Sequence, residues 1–221
     1  MTEATHRRST HAARGVRLPR GARRAVLLEA AQDVFVANGY HSAAMDDIAE
    51  RAGVSKPVLY QHFPGKLDLY LALVTTHVDV LVETVREALA STTENRGRVA
   101  AAVGAYFDFV DREDQAFRLV FESDLRNEPA VQDAVERAEQ ACAEAISAVI
   151  IEDAGLDSEQ ATLIAVGIIG LCQIAARYWL RTERAVPKAE AIERLSRFAW
   201  KGFAGLPLTH PADGPHAADV D

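Results

Sequence analysis

The sequence predicts an all-α protein with an N-terminal three-helix helix-turn-helix domain and a larger C-terminal helical domain. Three observations carry this. From residue 20 onward the apolar residues recur at the 3.6-residue spacing of helices, and no sustained period-2 alternation appears. Asn38-Gly39, Gly53, Pro64-Gly65, Glu94-Asn95, Asn127 to Pro129, Gly155 and Pro187 cut that pattern into segments. The 221 residues are 49% hydrophobic and 25% charged, the profile of a globular chain with a substantial core.

Each element follows in order. Residues 1–20 are rich in Arg, His, Thr and Ala without apolar periodicity, and read as a mobile basic arm. Val26, Leu27, Ala30, Ala31, Val34 and Phe35 share one face of a first helix over 21–38. Gly39 then supplies the left-handed residue that ends it. Met45, Ile48 and Ala49 place a second helix over 45–51, and Gly53 makes a tight turn. Ser55 stands where a cap is expected for a third helix of about seven residues with Pro57 in its first turn. A long fourth helix is expected over 66–90. Five more follow, over 96–112, 115–125, 128–153, 158–182 and 188–203. Residues 206–221 hold three Pro and a Gly and read as a disordered tail.

The net charge of −8 is unevenly distributed. Residues 1–66 hold ten Lys or Arg against six Asp or Glu, and residues 67–221 hold fourteen against twenty-six. A basic end on an acidic body points to a polyanion met by that end. No run of about 18 consecutive apolar residues suggests a membrane span, and the N-terminus lacks the apolar stretch of a secretory signal. Cys142 and Cys172 lie far apart inside apolar helical patterns, as buried thiols of a reduced, cytoplasmic protein would. Adjacent Asp46 and Asp47 diverge on a helix, and the chain has no His-x-x-x-His, P-loop, G-x-G-x-x-G or G-x-S-x-G motif. An enzyme, a metal site and a cofactor are therefore not expected.

Three short helices with a Gly turn before the third can lay that third helix in a major groove of double-stranded DNA. Lys56, Pro57 and Val58 then lie at the groove-entering end of that helix, Tyr60, His62 and Lys66 face phosphates, and Ser55 and Gln61 complete the expected DNA-binding set. Val54, Leu59 and Phe63 hold the helix on its neighbours. Arg17, Arg20, Arg23 and Arg24 could reach an adjacent minor groove or act as loose positive charge.

The run GYHSAAMDDIAERAGVSKPVLYQHFPGKLDLY resembles the DNA-binding domain of TetR-family transcriptional regulators, over about residues 21–75. The resemblance implies a homodimer on a palindromic operator, switched by a small molecule in the C-terminal domain. The family's Thr-Ser pair before the second helix is here Ala43-Ala44, so the cap of that helix is expected from Ser42. Further along, TTENR, YFDFV, FRLVFESD, AVGIIG, ARYWL and FAWKGF resemble actinobacterial TetR-type regulators of fatty acid synthase genes. That similarity implies control of fatty acid biosynthesis with a long-chain acyl-CoA as effector. Phe109, Phe117, Val120, Phe121, Leu125 and Ile174 are the residues expected to line an apolar effector site, and Arg118 and Arg177 either meet the CoA head or form surface ion pairs. The run 163–172, apolar all round, is expected to bury one side in the core and the other against a partner subunit, helped by Gly167, Gly170, Phe198, Trp200 and Phe203. Two alternatives stay open: a TetR-type regulator of another pathway such as drug efflux, and an acyl-CoA carrier that retains a helix-turn-helix. The domains expected are thus an arm at 1–20, a DNA-binding domain at 21–66, a ligand-binding and dimerisation domain at 67–205, and a tail at 206–221.

Overall fold

The computed structural model describes residues 19–113, 115–122, 125 and 127–203. The expected arm, apart from Pro19 and Arg20, and the expected tail lie outside the described residues, as does Arg17. The described residues form nine α-helices and no strand. They are α1 (Arg20–Ser42), α2 (Met45–Arg51), α3 (Lys56–His62), α4 (Lys66–Ala90), α5 (Asn95–Val110), α6 (Ala116–Phe121), α7 (Pro129–Ala154), α8 (Ser158–Arg181) and α9 (Lys188–Phe203).

The first three helices are set by their connections. α1 kinks at Gly39, whose φ of 73° and ψ of 168° suit a residue without a Cβ, and then continues one short turn to Ser42. Between α2 and α3, Gly53 takes φ 65°, and its amide donates to the Glu50 carbonyl at 3.0 Å while that of Val54 donates to Ala49 at 3.0 Å. Two orphan carbonyls at the end of α2 are thereby satisfied within a two-residue turn. Buried Leu27, Ala31, Val34 and Phe35 of α1, Ile48 of α2 and Leu59 of α3 join one cluster. Each large apolar side chain buried there contributes about 1.5–3 kcal/mol.

Two capping expectations are corrected. Ser55 precedes α3 in extended conformation, but its side chain makes no cap hydrogen bond, and the backbone carbonyl accepts from Val58 and Leu59. The residue before α2 is Ala44, with no side-chain cap, so Ser42 does not fill that role. Asp46 and Asp47 in the first turn of α2 complement its dipole instead.

α4 is the axis of the molecule, packing along α7 and α5 and, near its start, against α1 and α6. α7 packs along α8, and α5 also lies against α9. A single apolar cluster extends from Leu27 in α1 to Trp179 in α8, so no packing break falls at residue 66. The helix expected over 115–125 is shorter than its apolar pattern. α6 starts after Gln115 in left-handed conformation and ends at Phe121, where Glu122 leaves helical geometry. There the hydroxyl of buried Tyr70, from α4, donates to the Leu119 carbonyl at 3.0 Å and caps the short helix.

α8 is apolar on both sides. Ala161, Ala165, Ile169, Cys172 and Ala176 are buried, while Leu163, Val166, Ile174 and Tyr178 are 75%, 52%, 62% and 59% exposed. By length and composition this helix could cross a membrane, but its inner face packs on α7 and α5. Phe198 of α9 is 69% exposed, Trp200 is half-buried, and the Phe203 side chain lies outside the described residues. Both cysteines are free and buried, and burial pushes the Cys172 thiol up to about 12 and the Cys142 thiol above its ordinary value. They are neutral core residues at physiological pH.

Candidate nucleic-acid interface and effector cavity

The solvent face of α3 carries Lys56, Pro57, Tyr60 and Gln61, all exposed, with Ser55 exposed just before it. Val58 and His62 are half-buried, and Leu59 is fully buried against α1 and α2. The structure therefore brings seven of the eight predicted DNA-facing residues onto one short helix and its approach. Lys56 Nζ meets Asp46 Oδ1 at 2.7 Å and Oδ2 at 3.0 Å. The hydrogen bond that Lys56 donates to Asp46, with the charge of that carboxylate, raises the Lys56 pKa above its ordinary value, so this cation is fully charged. Both partners are more than half exposed, which leaves the ammonium able to exchange one anionic partner for another.

Lys66 is placed differently. From the first residue of α4 its ammonium donates to the carbonyls of Tyr40 at 2.8 Å, His41 at 3.2 Å and Ala43 at 3.0 Å. The same nitrogen lies 4.6 Å from the centre of the Tyr40 ring. An ammonium has three donors, and all three are used inside the chain. Its charge is thereby held beside the α1–α2 connection at the start of α4. Of the arginines opening α1, Arg24 lies over the Phe63 ring at 4.6 Å, and Arg51 of α2 is tied to Asp33.

Tyr40 continues an aromatic group with Phe35, at 5.9 Å and stacked, and Tyr70, at 5.3 Å and edge-on. Tyr70 also meets Phe35 edge-on at 5.1 Å. The α1 end of the reading head and the Leu119 carbonyl of α6 thus touch the same tyrosine. His77, one level down α4, faces Gln32 of α1 with Nε2 3.1 Å from Oε1.

Between α4, α5, α6, α7 and α8 a narrow cavity of about 250 Å³ is lined by Val78, Leu81, Tyr106, Val120, Phe121, Val135, Cys142 and Gln173, among others. It adjoins a wider cleft of about 570 Å³ that shares Val120, Phe121, Val135, Glu139 and Gln173 and is bordered by Arg177. Only Val120 and Phe121 of the predicted lining residues are in these walls. Phe109 is buried behind them, edge-on to Phe121 at 6.0 Å, and Phe117 is buried elsewhere in the core. Leu125 is half-buried beyond α6. Ile174 is corrected outright, because at 62% exposure it lies on the outer face of α8.

The cavity is apolar with neutral polar tips. Burial raises the Tyr106 hydroxyl and the Cys142 thiol, so both remain protonated. Burial also raises the Glu139 carboxyl, which a hydrogen bond with Gln173 opposes and Glu136 reinforces. At the mouth, Arg177 has its guanidinium 6.0 Å from the Phe121 ring and its Nε 4.0 Å from Glu122 Oε1. That Nε is buried with no hydrogen-bond partner among the described residues. Sequence reasoning missed the walls from α4 and α7 because Val78, Leu81, Val135 and Cys142 read only as core-facing helix positions. Separately, Leu89, Val99, Ile150, Ile168 and Trp200 surround an apolar cleft of about 520 Å³ at the far end of α4.

A short third helix carried outward by two others, on an all-helical body with an interior apolar cavity, has counterparts among known proteins. Residues 27–73 match the family model for bacterial regulatory proteins of the tetR family, and residues 95–202 that for the tetracyclin repressor-like C-terminal domain. The chain belongs to the TetR family of transcriptional regulators. This TetR-family chain is 52% identical over 196 residues to the HTH-type transcriptional activator FasR of Mycolicibacterium smegmatis, covering 89% of this chain and 90% of that protein. A TetR-like regulator from Rhodococcus sp. RHA1 superposes with a TM-score of 0.68 at 26% identity, covering 86% and 100%. FadR of Bacillus subtilis in complex with stearoyl-CoA superposes with a TM-score of 0.67 at 18% identity, covering 80% and 98%, a likeness of fold alone. TetR-family regulators bind DNA, and α3 lies within the matched N-terminal domain.

Proposed function

We propose that this protein is a cytoplasmic regulator of fatty acid biosynthesis genes whose grip on DNA is changed by a long-chain acyl-CoA. The observation that carries the reading is the 52% identity to FasR, which spans the C-terminal domain as well as the reading head. The resemblance in fold to a FadR bound to stearoyl-CoA supports an acyl-CoA as the class of effector. The apolar cavity suits an acyl chain, and Arg177 at its mouth suits an anionic or carbonyl-bearing head group. The inner cavity is too narrow to hold an acyl chain as it stands, so a long chain must part α6 from α7 to enter.

In this reading residues 21–66 are the DNA-binding domain and 67–205 the effector and dimerisation domain. Ser55, Lys56, Pro57, Val58 and Gln61 meet base edges and flanking backbone, and Tyr60, His62 and Lys66 meet phosphates. Two subunits join through the exposed stripe of α8 with Phe198 of α9, and each lays α3 in one half-site of a palindrome. Gly167 and Gly170 support that packing, since a Cβ at either would meet nothing within 4 Å in its own subunit. Opening the cavity displaces α6, and Tyr70 passes the displacement through Leu119 to α4 and the reading head. Effector binding then shifts the population of half-site spacings to the extent that the effector prefers one of them.

Genomic fragments captured by the purified protein test the pathway. Enrichment upstream of fatty acid synthase genes is the expected result, and enrichment confined to efflux operons would overturn it.

A further inference from the structure

We propose that Asp111 latches the α8–α9 turn to the approach of α6, so that effector entry loosens the pairing of subunits. The latch rests on the effector and dimer readings, and its test separates them. Asp111 caps α5, its amide donating to the Phe107 carbonyl at 2.9 Å. Its Oδ1 accepts from Arg184, 2.8 Å from Nε and 2.7 Å from Nη2, and its Oδ2 accepts from Lys188 Nζ at 3.2 Å. Lys188 also pairs with Asp108, one turn back on α5. Carboxylates are unfavourable at the negative end of a helix, and α5 has two there with no cation of its own. The turn after α8 and the first residue of α9 supply the missing positive charge.

That turn is itself strained. Glu183 and Arg184 take φ of 55° and 58°, in the left-handed region that disfavours a residue with a Cβ. The Arg184 amide donates to the Trp179 carbonyl at 3.1 Å, and the Trp179 indole donates to the Val186 carbonyl at 2.7 Å. The Arg184 guanidinium lies 5.5 Å from the Trp179 ring, which lies 5.3 Å from the Phe107 ring of α5. The end of α5 therefore holds the turn that sets α9, with exposed Phe198, against the exposed stripe of α8. In the other direction, residues 112–115 connect Asp111 to α6, and Gln115 is also left-handed, at φ 52°. α6 carries Val120 and Phe121 in the cavity wall. Parting α6 from α7 pulls on Asp111, and releasing Asp111 lets the strained turn relax and α9 shift against α8.

Subunit exchange reads this directly. Samples of the whole chain, labelled at the α-amino group with donor or acceptor dye, are mixed and followed by energy transfer. Saturating palmitoyl-CoA should speed exchange roughly fivefold in the unaltered protein. Asp111→Asn and Arg184→Gln should exchange about that fast without effector and respond to it by less than about twofold. Arg194→Gln, which breaks only the α9 pair with Glu190 at 2.6 Å, should keep the full response. A lowered Tm in the latch variants with the fivefold response intact would overturn the proposal. So would exchange in the unaltered protein that palmitoyl-CoA leaves unchanged or slows, or a response lost equally in Arg194→Gln. If one latch variant fails to fold, the other decides. Calorimetry on the same samples measures palmitoyl-CoA binding. No binding to the unaltered protein would sink the effector reading and the latch with it, whereas binding without faster exchange overturns the latch alone.

Discussion

Tyr70→Phe probes the connection between cavity and reading head with the least disturbance. The ring stays, so the edge-on contacts to Phe35 and Tyr40 at 5.1 and 5.3 Å are kept. What is lost is the hydroxyl that donates to the Leu119 carbonyl at 3.0 Å in the buried seam between α4 and α6. Leaving a buried acceptor without its donor costs about 1–3 kcal/mol. For a chain of this size that lowers Tm by roughly 3–9 °C, measured at one fixed protomer concentration. Leu119 directly precedes Val120 and Phe121, the two α6 residues in the cavity wall, so in the proposed scheme the same bond lies on the path from effector to α4. The factor by which palmitoyl-CoA changes operator affinity should therefore shrink by roughly fivefold, the equivalent of about 1 kcal/mol. Fluorescence anisotropy on a labelled operator, with and without acyl-CoA, reads that factor directly. An unchanged Tm would refute the buried bond. Lowered stability with the effector response intact would refute its place in transmission.

Four further outcomes follow from the geometry. Asp46→Asn frees Lys56 from its exposed partner and should tighten DNA binding a few-fold in an electrophoretic shift assay, with stability changed by less than about 1 kcal/mol. Val135→Phe, in the wall of both cavity and cleft, should blunt the acyl-CoA response while leaving effector-free DNA affinity intact, at a stability cost of about 1–3 kcal/mol. Leu163→Asp and Ile174→Asp place charge on the exposed α8 stripe, and light scattering should then report monomers that retain full helicity. At Asp111 burial raises the carboxyl pKa, but hydrogen bonds from Arg184 and Lys188 outweigh it and hold the group below its ordinary 3.8. Its contribution is thus present above that value and lost as pH falls through the lower folded value. Denaturation of Asp111→Asn should accordingly show a deficit at neutral pH that disappears in acid below about 3.8.

Local signals in the sequence place most of the helices. Gly53, Pro57 and Pro64-Gly65 bound α3, and the observed Lys56–His62 agrees with the seven residues expected. Periodicity likewise anticipates the buried stripe of α1, apart from Val26, which is exposed, and the two apolar sides of α8. What escaped is non-local. Tyr70 and Leu119 are 49 residues apart, so nothing near residue 121 announces that α6 stops there. Cys172 and Ile174 lie two residues apart in one helix, and only the packing of α8 on α7 decides which faces inward. Lys66 follows a reading helix in sequence and looks like one more cation for DNA; the carbonyls it holds are 23–26 residues upstream. Arg177 is distinguished from surface arginines by one orphaned buried nitrogen, which no spacing encodes.

A long-chain acyl-CoA as the proposed effector implies that chain length sets the size of the change in DNA affinity. Anisotropy titrations on the captured fragment with free CoA, a short-chain, a medium-chain and a long-chain acyl-CoA test it most directly. The expected result is an affinity change that grows with chain length and is absent with free CoA. The same factor is expected for the effect of DNA on acyl-CoA binding, as linkage requires. Indifference of DNA affinity to every acyl-CoA in the series would contradict it.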